Sequence, residues 1–168
     1  MLLAIDLDGV TIDLMSAWLE QYHPTYTKDD IHGWTTWNYI LTCKGKEQFF
    51  YELTHLNPDK ISLELNAANT IKKIIADGHT VFFLTSKLEG SMAWTRKVLE
   101  DWDLGDIPII NNHLDGKSKD DYPYDMLLDD CPHHDYSRTI IFAQPWNKDV
   151  KNLRVSGWDD FYSRLSKP

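Results

Sequence analysis

Hydrophobic residues fall along this chain in two patterns. Short apolar runs rich in Ile, Val, Leu and Phe occur at Leu2–Leu7, Thr80–Thr85, Ile107–Ile110, Met126–Leu128 and Thr139–Phe142. Continuous rather than alternating apolarity predicts strands covered on both faces, as in a parallel sheet with helices against it. Between the runs the period changes. NAANTIKKIIAD, Asn66–Asp77, puts Ala67, Ile71, Ile74 and Ile75 at helical spacing, with Gly78 as its stop. A second helix is predicted over Ser91–Trp102, where Trp94, Val98, Leu99 and Trp102 share a stripe and Gly105 lies beyond the end. A third is predicted over Trp158–Leu165.

About 70 residues separate the first two runs, far more than one crossover helix needs, so something is inserted there. Asp13–Tyr22 and Lys46–Leu53 (KEQFFYEL) have helical spacing and His32–Tyr39 is aromatic and turn-like, which predicts a small helical subdomain over one end of the sheet. The expected organisation is a core of residues 1–14 and 66–168 carrying an insert of residues 15–65. A chain of 168 residues supports one sizeable core with such an insert, and is short for two ordinary domains.

Composition narrows the function. Lys plus Arg total 17 against 26 Asp plus Glu, a net charge of −9 that opposes nonspecific binding to nucleic acid or an anionic membrane. An anionic substrate would need a local reversal of that field, which a bound divalent cation and one or two placed lysines would supply. The first apolar stretch, Leu2–Ile5, is only four residues before Asp6, too short for a signal-peptide core or a membrane span, and no later segment is long enough. Cys43 and Cys131 have no CxxC or zinc-ligand spacing and read as free thiols in a reducing compartment. A cytoplasmic protein is expected. Seven Trp and eight Tyr are accounted for mostly by core packing.

In a parallel sheet, ligands gather beyond the carboxyl ends of the strands. The polar residues that end the runs are Asp6 and Asp8, then Thr85 and Ser86, then Asp129 and Asp130, with Lys117 and Lys119 shortly before the last pair. A single Asp at such a place is more often an N-cap or a turn residue. The set says more: carboxylates at neighbouring strand ends repel unless a cation lies among them, and hard oxygen donors suit Mg²⁺. A carboxylate held against a metal can attack phosphorus, and a second one two residues along, on the same side of the strand, can protonate the leaving oxygen. Gly9 lets the chain turn tightly. The Thr85 hydroxyl and an ammonium from Lys117 or Lys119 can hold phosphoryl oxygens as charge develops on them.

DLDGV, FFLTS, a lysine and MLLDD, in that order, resemble the four motifs of the haloacid dehalogenase-like phosphohydrolases. Within that superfamily the chain resembles the 5′(3′)-deoxyribonucleotidase family through DLDGVTID, the aromatic helical insert, TSK after the second strand, MLLDDCP and the tail TIIFAQPWN…VSGWDDF. The similarity covers nearly the whole chain and is weakest in the insert. It implies a Rossmann-like parallel sheet with helices on both faces and a small helical cap after the first strand. It implies Mg²⁺-dependent hydrolysis of nucleoside monophosphates, with Asp6 as nucleophile and Asp8 as acid and base. Mg²⁺ would be held by Asp6, the Asp8 main-chain carbonyl and Asp130, supported by Asp129, and Thr85 and Ser86 would bind phosphate. The lysine is Lys117, which has the Lys-Ser pair common in relatives and is slightly preferred, or Lys119, which lies at the more usual distance from the acidic pair. Where relatives often have proline, Lys87 follows Thr85-Ser86; it reads as a phosphate contact or, more commonly for such a position, a solvated loop lysine.

The cap implied by the resemblance would stack aromatic rings on the base, about 1–3 kcal/mol per base. IHGWTTWNY offers Trp34, Trp37 and Tyr39, whereas the Phe49–Phe50 pair favours core, and Leu14 would be apolar wall. Adjacent histidines point in different directions, so His133 and His134 read as surface helix-start residues rather than a zinc site. Trp146, Asn147 and Trp158 are expected to pack the C-terminal segment. The expected partner is a small nucleotide, with no polynucleotide and no membrane; a homodimer is compatible with the sequence. A receiver domain gathers similar groups, but its acidic pair ends the first strand and it has no insert. A non-catalytic binding module would not need Asp6 beside Asp8; the alternative reading is a phosphatase for another small phosphomonoester, and the charge disfavours a polynucleotide 3′ end.

Overall fold

The computed structural model describes residues 1–31, 45–131, 133–134 and 137–165. Six strands, β1 (Leu2–Ile5), β2 (Thr80–Thr85), β3 (Ile109–Asn111), β4 (Met126–Asp129), β5 (Thr139–Phe142) and β6 (Arg154–Val155), form one sheet. Their order is β3-β2-β1-β4-β5-β6 and every neighbouring pair is parallel. Among the described residues the helices are α1 (Leu14–Tyr22), α2 (Lys46–Thr54), α3 (Ala67–Ala76), α4 (Met92–Asp101), α5 (Asn112–Asp115) and α6 (Trp158–Leu165).

The unbroken apolarity of the strands has a direct cause. Successive side chains point to opposite faces, and both faces are buried. Leu3, Ile5, Val81, Phe83 and Leu128 enter the larger core, where α3 contributes Ile71 and Ile74, α4 Val98 and Leu99, and α6 Trp158 and Phe161. Ala4, Phe82, Leu84 and Leu127 enter a smaller cluster closed by Tyr122 and Tyr124 of the β3–β4 connection. Helical cover is therefore heavier on one face than on the other.

Several strands depart from the sequence expectation, β4 by one residue at Asp129 and three others for a clear physical reason. β1 ends at Ile5, because the chain turns at Leu7, whose carbonyl accepts from Thr11 N at 3.0 Å and Ile12 N at 2.7 Å. β3 begins at Ile109, after Pro108, which has no N–H to donate although its carbonyl accepts from Phe83 N at 2.8 Å. β6 has two residues, too few to show a period.

Between β1 and β2 lies the insert. α1 starts at Asp13, whose carboxylate accepts from Ser16 N at 3.3 Å, an N-cap of the ordinary kind. α1 packs on α2 through Trp18 and Phe49, edge to face with ring centroids 5.0 Å apart; Phe49 is core, as its pairing with Phe50 suggested. The passages into and out of the insert run side by side. Asp13 N donates to Ser62 O at 3.0 Å and Glu64 N to Thr11 O at 2.9 Å, and Lys28 Nζ bridges the carboxylates of Asp13 and Glu64, 2.8 Å from each.

Candidate active site

The strand order reverses at β1: its chain continues to β2 on one side, while β4 on the other arrives from β3. Ligand crevices form outside the carboxyl ends at such a point. Asp6 is the first residue past β1 and is anchored there by its N–H to Leu128 O at 2.9 Å. The Thr11 hydroxyl donates to its carbonyl at 2.8 Å, and Leu7 N to its Oδ1 at 2.8 Å. Lys119 Nζ sits 2.9 Å from the same Oδ1 and 2.7 Å from Asp129 Oδ2. Cys131 N donates to the other Asp129 oxygen at 2.7 Å, and Trp146 Nε1 donates to Asp130 Oδ2 at 2.8 Å.

Asp6, Asp129 and Asp130 are all buried and bring carboxylate oxygens within 4.8 Å of one another. Gly9 makes this packing feasible. Its φ is +76°, and a Cβ there would stand 2.5 Å from Asp130 Oδ2 and 3.1 Å from the Trp146 ring. Close approach, as much as turning, requires glycine.

The cluster is short of positive charge. Burial pushes the Asp6 carboxyl up to about 7; Lys119 pulls against that, while Asp129 and Asp8 add to it. Burial raises Asp130 well above the carboxylate range, and Asp129 and Asp6 push it further against Trp146 and Lys119. Burial alone would loosen the proton on Lys119, but Asp129 and Asp6 outweigh it and hold the ammonium far above its ordinary range. One ammonium does not neutralise three carboxylates. A divalent ion among these hard oxygen donors would, so the residues present fit such a metal. Asp129, Cys131 and His134 also offer ligand atoms close together, but Lys119 Nζ already occupies Asp129 Oδ2 and opposes a second cation.

A cleft of about 210 Å³ opens over the cluster, lined among the described residues by Asp6, Asp8, Gly9, Leu14, Met15, Thr85, Ser86, Lys119, Asp129, Asp130, Cys131, His134 and Trp146. The structure thus brings Asp6, Asp8, Leu14, Thr85, Ser86, Asp129 and Asp130 to one place. Trp34, Trp37 and Tyr39 lie outside the described residues.

Four expectations change. Lys119, not Lys117, reaches the carboxylates: the turn Lys119–Asp121, capped by Ser118, carries Lys119 inward, while Lys117 Nζ lies over the Tyr122 ring, 5.5 Å from its centre. Lys87 is neither a solvated loop lysine nor part of the cleft lining; it is 3% exposed and paired with Asp8. His134 is half-buried rather than a surface residue, with Nε2 3.5 Å from Asp129 Oδ2. Trp146 packs, but its N–H also serves Asp130; a tryptophan just past the last apolar run was the sequence signal. Trp158 does pack, its Nε1 donating to Val10 O at 2.9 Å.

An all-parallel sheet with a helical insert after its first strand and acidic residues at the ends of β1 and β4 defines the haloacid dehalogenase-like hydrolases. Solved structures agree on the fold. A conserved haloacid dehalogenase-like protein from Agrobacterium tumefaciens is 12% identical with a TM-score of 0.64, the match covering 98% of this chain and 97% of that one. A hydrolase from Pseudomonas syringae is 14% identical with a TM-score of 0.60, covering 98% of each chain. A HAD phosphatase from Thermococcus onnurineus is 12% identical with a TM-score of 0.59, covering 98% and 97%. No curated protein sequence is matched. Residues 1–167 match the family described as 5′ nucleotidase, deoxy (Pyrimidine), cytosolic type C protein, and the chain belongs to that family. It is a HAD-type phosphatase. Among the described residues no helix is long and apolar enough to cross a membrane.

Proposed function

We propose that the protein is a Mg²⁺-dependent phosphomonoesterase that hydrolyses (deoxy)nucleoside monophosphates through an aspartyl-phosphate on Asp6. The observation that carries this reading is the Asp6 carboxylate on the cleft wall, with Lys119 2.9 Å away and Asp129 and Asp130 beside it. Mg²⁺, held by Asp6, Asp130 and the Asp8 carbonyl with Asp129 in support, would offset the phosphate's charge so that an anionic nucleophile can approach it. Asp6 attacks phosphorus, and Lys119, Thr85 and Ser86 hold the phosphoryl oxygens. Asp8 protonates the leaving oxygen and then takes a proton from the water that hydrolyses the aspartyl-phosphate. Residues 15–65 act as the cap that excludes water, with Leu14 as apolar wall and Trp34, Trp37 and Tyr39 as the candidates to stack on the base. Family membership supports the nucleotide, and the cytosolic type in the family's description supports a cytoplasmic site of action.

The test is phosphate release from a panel of deoxyribo- and ribonucleotides, with and without EDTA. Metal-dependent release from at least one nucleotide is expected; activity confined to other phosphomonoesters would overturn the substrate assignment. Asp6→Asn should abolish turnover, and Asp8→Asn should slow it about 10²–10⁴-fold while metal binding persists.

A further inference from the structure

Lys87 holds the least expected charge in the molecule. Its side chain is 1% exposed and its ammonium pairs with Asp8 Oδ1. The ammonium also lies 4.2 Å from the centre of the Trp94 ring, a cation over an aromatic face. Neither support is loose. Asn111 Nδ2 donates to the Lys87 carbonyl at 2.9 Å, and Trp94 Nε1 donates to Leu53 O at 3.2 Å. A buried ammonium is tolerated only when partnered, and among the described residues Asp8 is the carboxylate that pairs with it.

Among the described residues Asp8 lines the cleft and Lys87 does not, so within that lining Lys87 acts on the cleft through Asp8. The ion pair takes one carboxylate oxygen of Asp8 and leaves Oδ2 unengaged among the described residues. We infer that Lys87 is a positioning residue that grips Asp8 by one oxygen and so presents the other to the substrate oxygen leaving phosphorus. This rests on the phosphomonoesterase reaction proposed above. In its first half the bond from phosphorus to the leaving oxygen breaks as the Asp6–phosphorus bond forms, and the proton on the free Asp8 oxygen passes to the leaving oxygen. In its second half water attacks phosphorus, its proton passes to Asp8 and the Asp6–phosphorus bond breaks. Both transfers need that oxygen within hydrogen-bond reach. A carboxylate without its ammonium has other rotamers open to it.

The experiment compares wild type, Lys87→Met and Lys87→Arg by kcat/KM on aryl phosphates from p-nitrophenyl to phenyl, whose leaving oxygens need increasing help from a proton. Lys87→Met should lose about 100-fold on phenyl phosphate and less than about threefold on p-nitrophenyl phosphate, with partial rescue by Lys87→Arg. Combined with Asp8→Asn, Lys87→Met should add no further loss, because the two act as one unit. Equal losses across the series, a rise in KM alone, or additive losses in the double variant would overturn the inference. Should Lys87→Met fail to fold, Lys87→Gln, which keeps a neutral donor, is read against the same outcomes. Wild type that hydrolyses aryl phosphates but no nucleotide overturns the substrate assignment only, and the Lys87 result is read unchanged. Wild type that hydrolyses no aryl phosphate overturns the inference together with the reaction.

Discussion

Trp146→Phe tests whether the acidic cluster holds the metal as its geometry suggests. The change keeps an aromatic ring and removes one N–H, which donates to Asp130 Oδ2 at 2.8 Å between residues that are 4% and 5% exposed. Water does not readily replace a donor there. A hydrogen bond to a charged group contributes about 1.5–3 kcal/mol. Loss of a partner that orients a metal ligand lowers metal affinity about 10–100-fold, equivalent to about 1.4–2.8 kcal/mol. The two ranges agree. The Mg²⁺ concentration for half-maximal phosphate release should therefore rise about 10–100-fold, with kcat at saturating Mg²⁺ little changed. The deficit should also depend on pH. Burial, then Asp129 and Asp6, already raise the Asp130 carboxyl, and Trp146 is one of the groups that oppose them. Without it Asp130 keeps its proton to higher pH, and the incoming cation must displace that proton, so the loss should be larger in mildly acidic than in mildly alkaline buffer. A Mg²⁺ titration of phosphate release at both pH values, on variant protein whose fold is checked by thermal unfolding, decides the matter. An unchanged half-saturation at both would refute the reasoning.

Lys119→Met leaves three buried carboxylates without their ammonium, so it should abolish turnover and lower stability by about 3–5 kcal/mol, measured by denaturant unfolding without metal; Lys117→Met should leave kcat/KM within about twofold, as expected of a surface change. Gly9→Ala should cost about 1–3 kcal/mol through overpacking and remove metal-dependent activity, because its Cβ displaces Asp130. Gly116→Ala, at φ +64° with nothing within 4 Å, should cost only backbone strain, leave activity intact in the same assays and serve as the control. Glu52 in α2 is raised by burial, but its hydrogen bonds with His23, Trp18 and Gln48 outweigh that and hold its carboxyl below the ordinary glutamate range. A depressed folded value means its contribution is present above the ordinary glutamate range and lost as pH falls through the folded value. Tm measured against pH should therefore drop at the acid end in wild type, and the drop should flatten in Glu52→Gln, which is also less stable near neutrality.

Much of the fold was legible because strand burial on both faces writes itself into composition. TVFFLT is β2 and TIIF is β5, residue for residue, as only a doubly covered strand keeps its apolar run unbroken. β6 was not legible, since two residues carry no period, and Pro108 shifted β3 by removing a donor from a run that looked continuous. Asp6, Asp8, Thr85, Ser86, Asp129 and Asp130 were legible as candidates because each ends an apolar run, and strand ends on one side of a parallel sheet meet in space.

The sequence by itself determined the sheet, the place of the insert and the acidic residues brought to one cleft, since these follow from local periodicity and from where each run stops. Tertiary structure alone decided which lysine joins them. Lys117 and Lys119 are two residues apart on a connection without a period, and a single capped turn sends Lys119 to Asp6 and Lys117 to the Tyr122 ring. It also decided that Lys87 is buried against Asp8 and Trp94, and that Trp146 donates to Asp130. The Lys87–Asp8 pair joins residues 79 apart along the chain, and the other two contacts are made across loops, so all three depend on packing that no local pattern records.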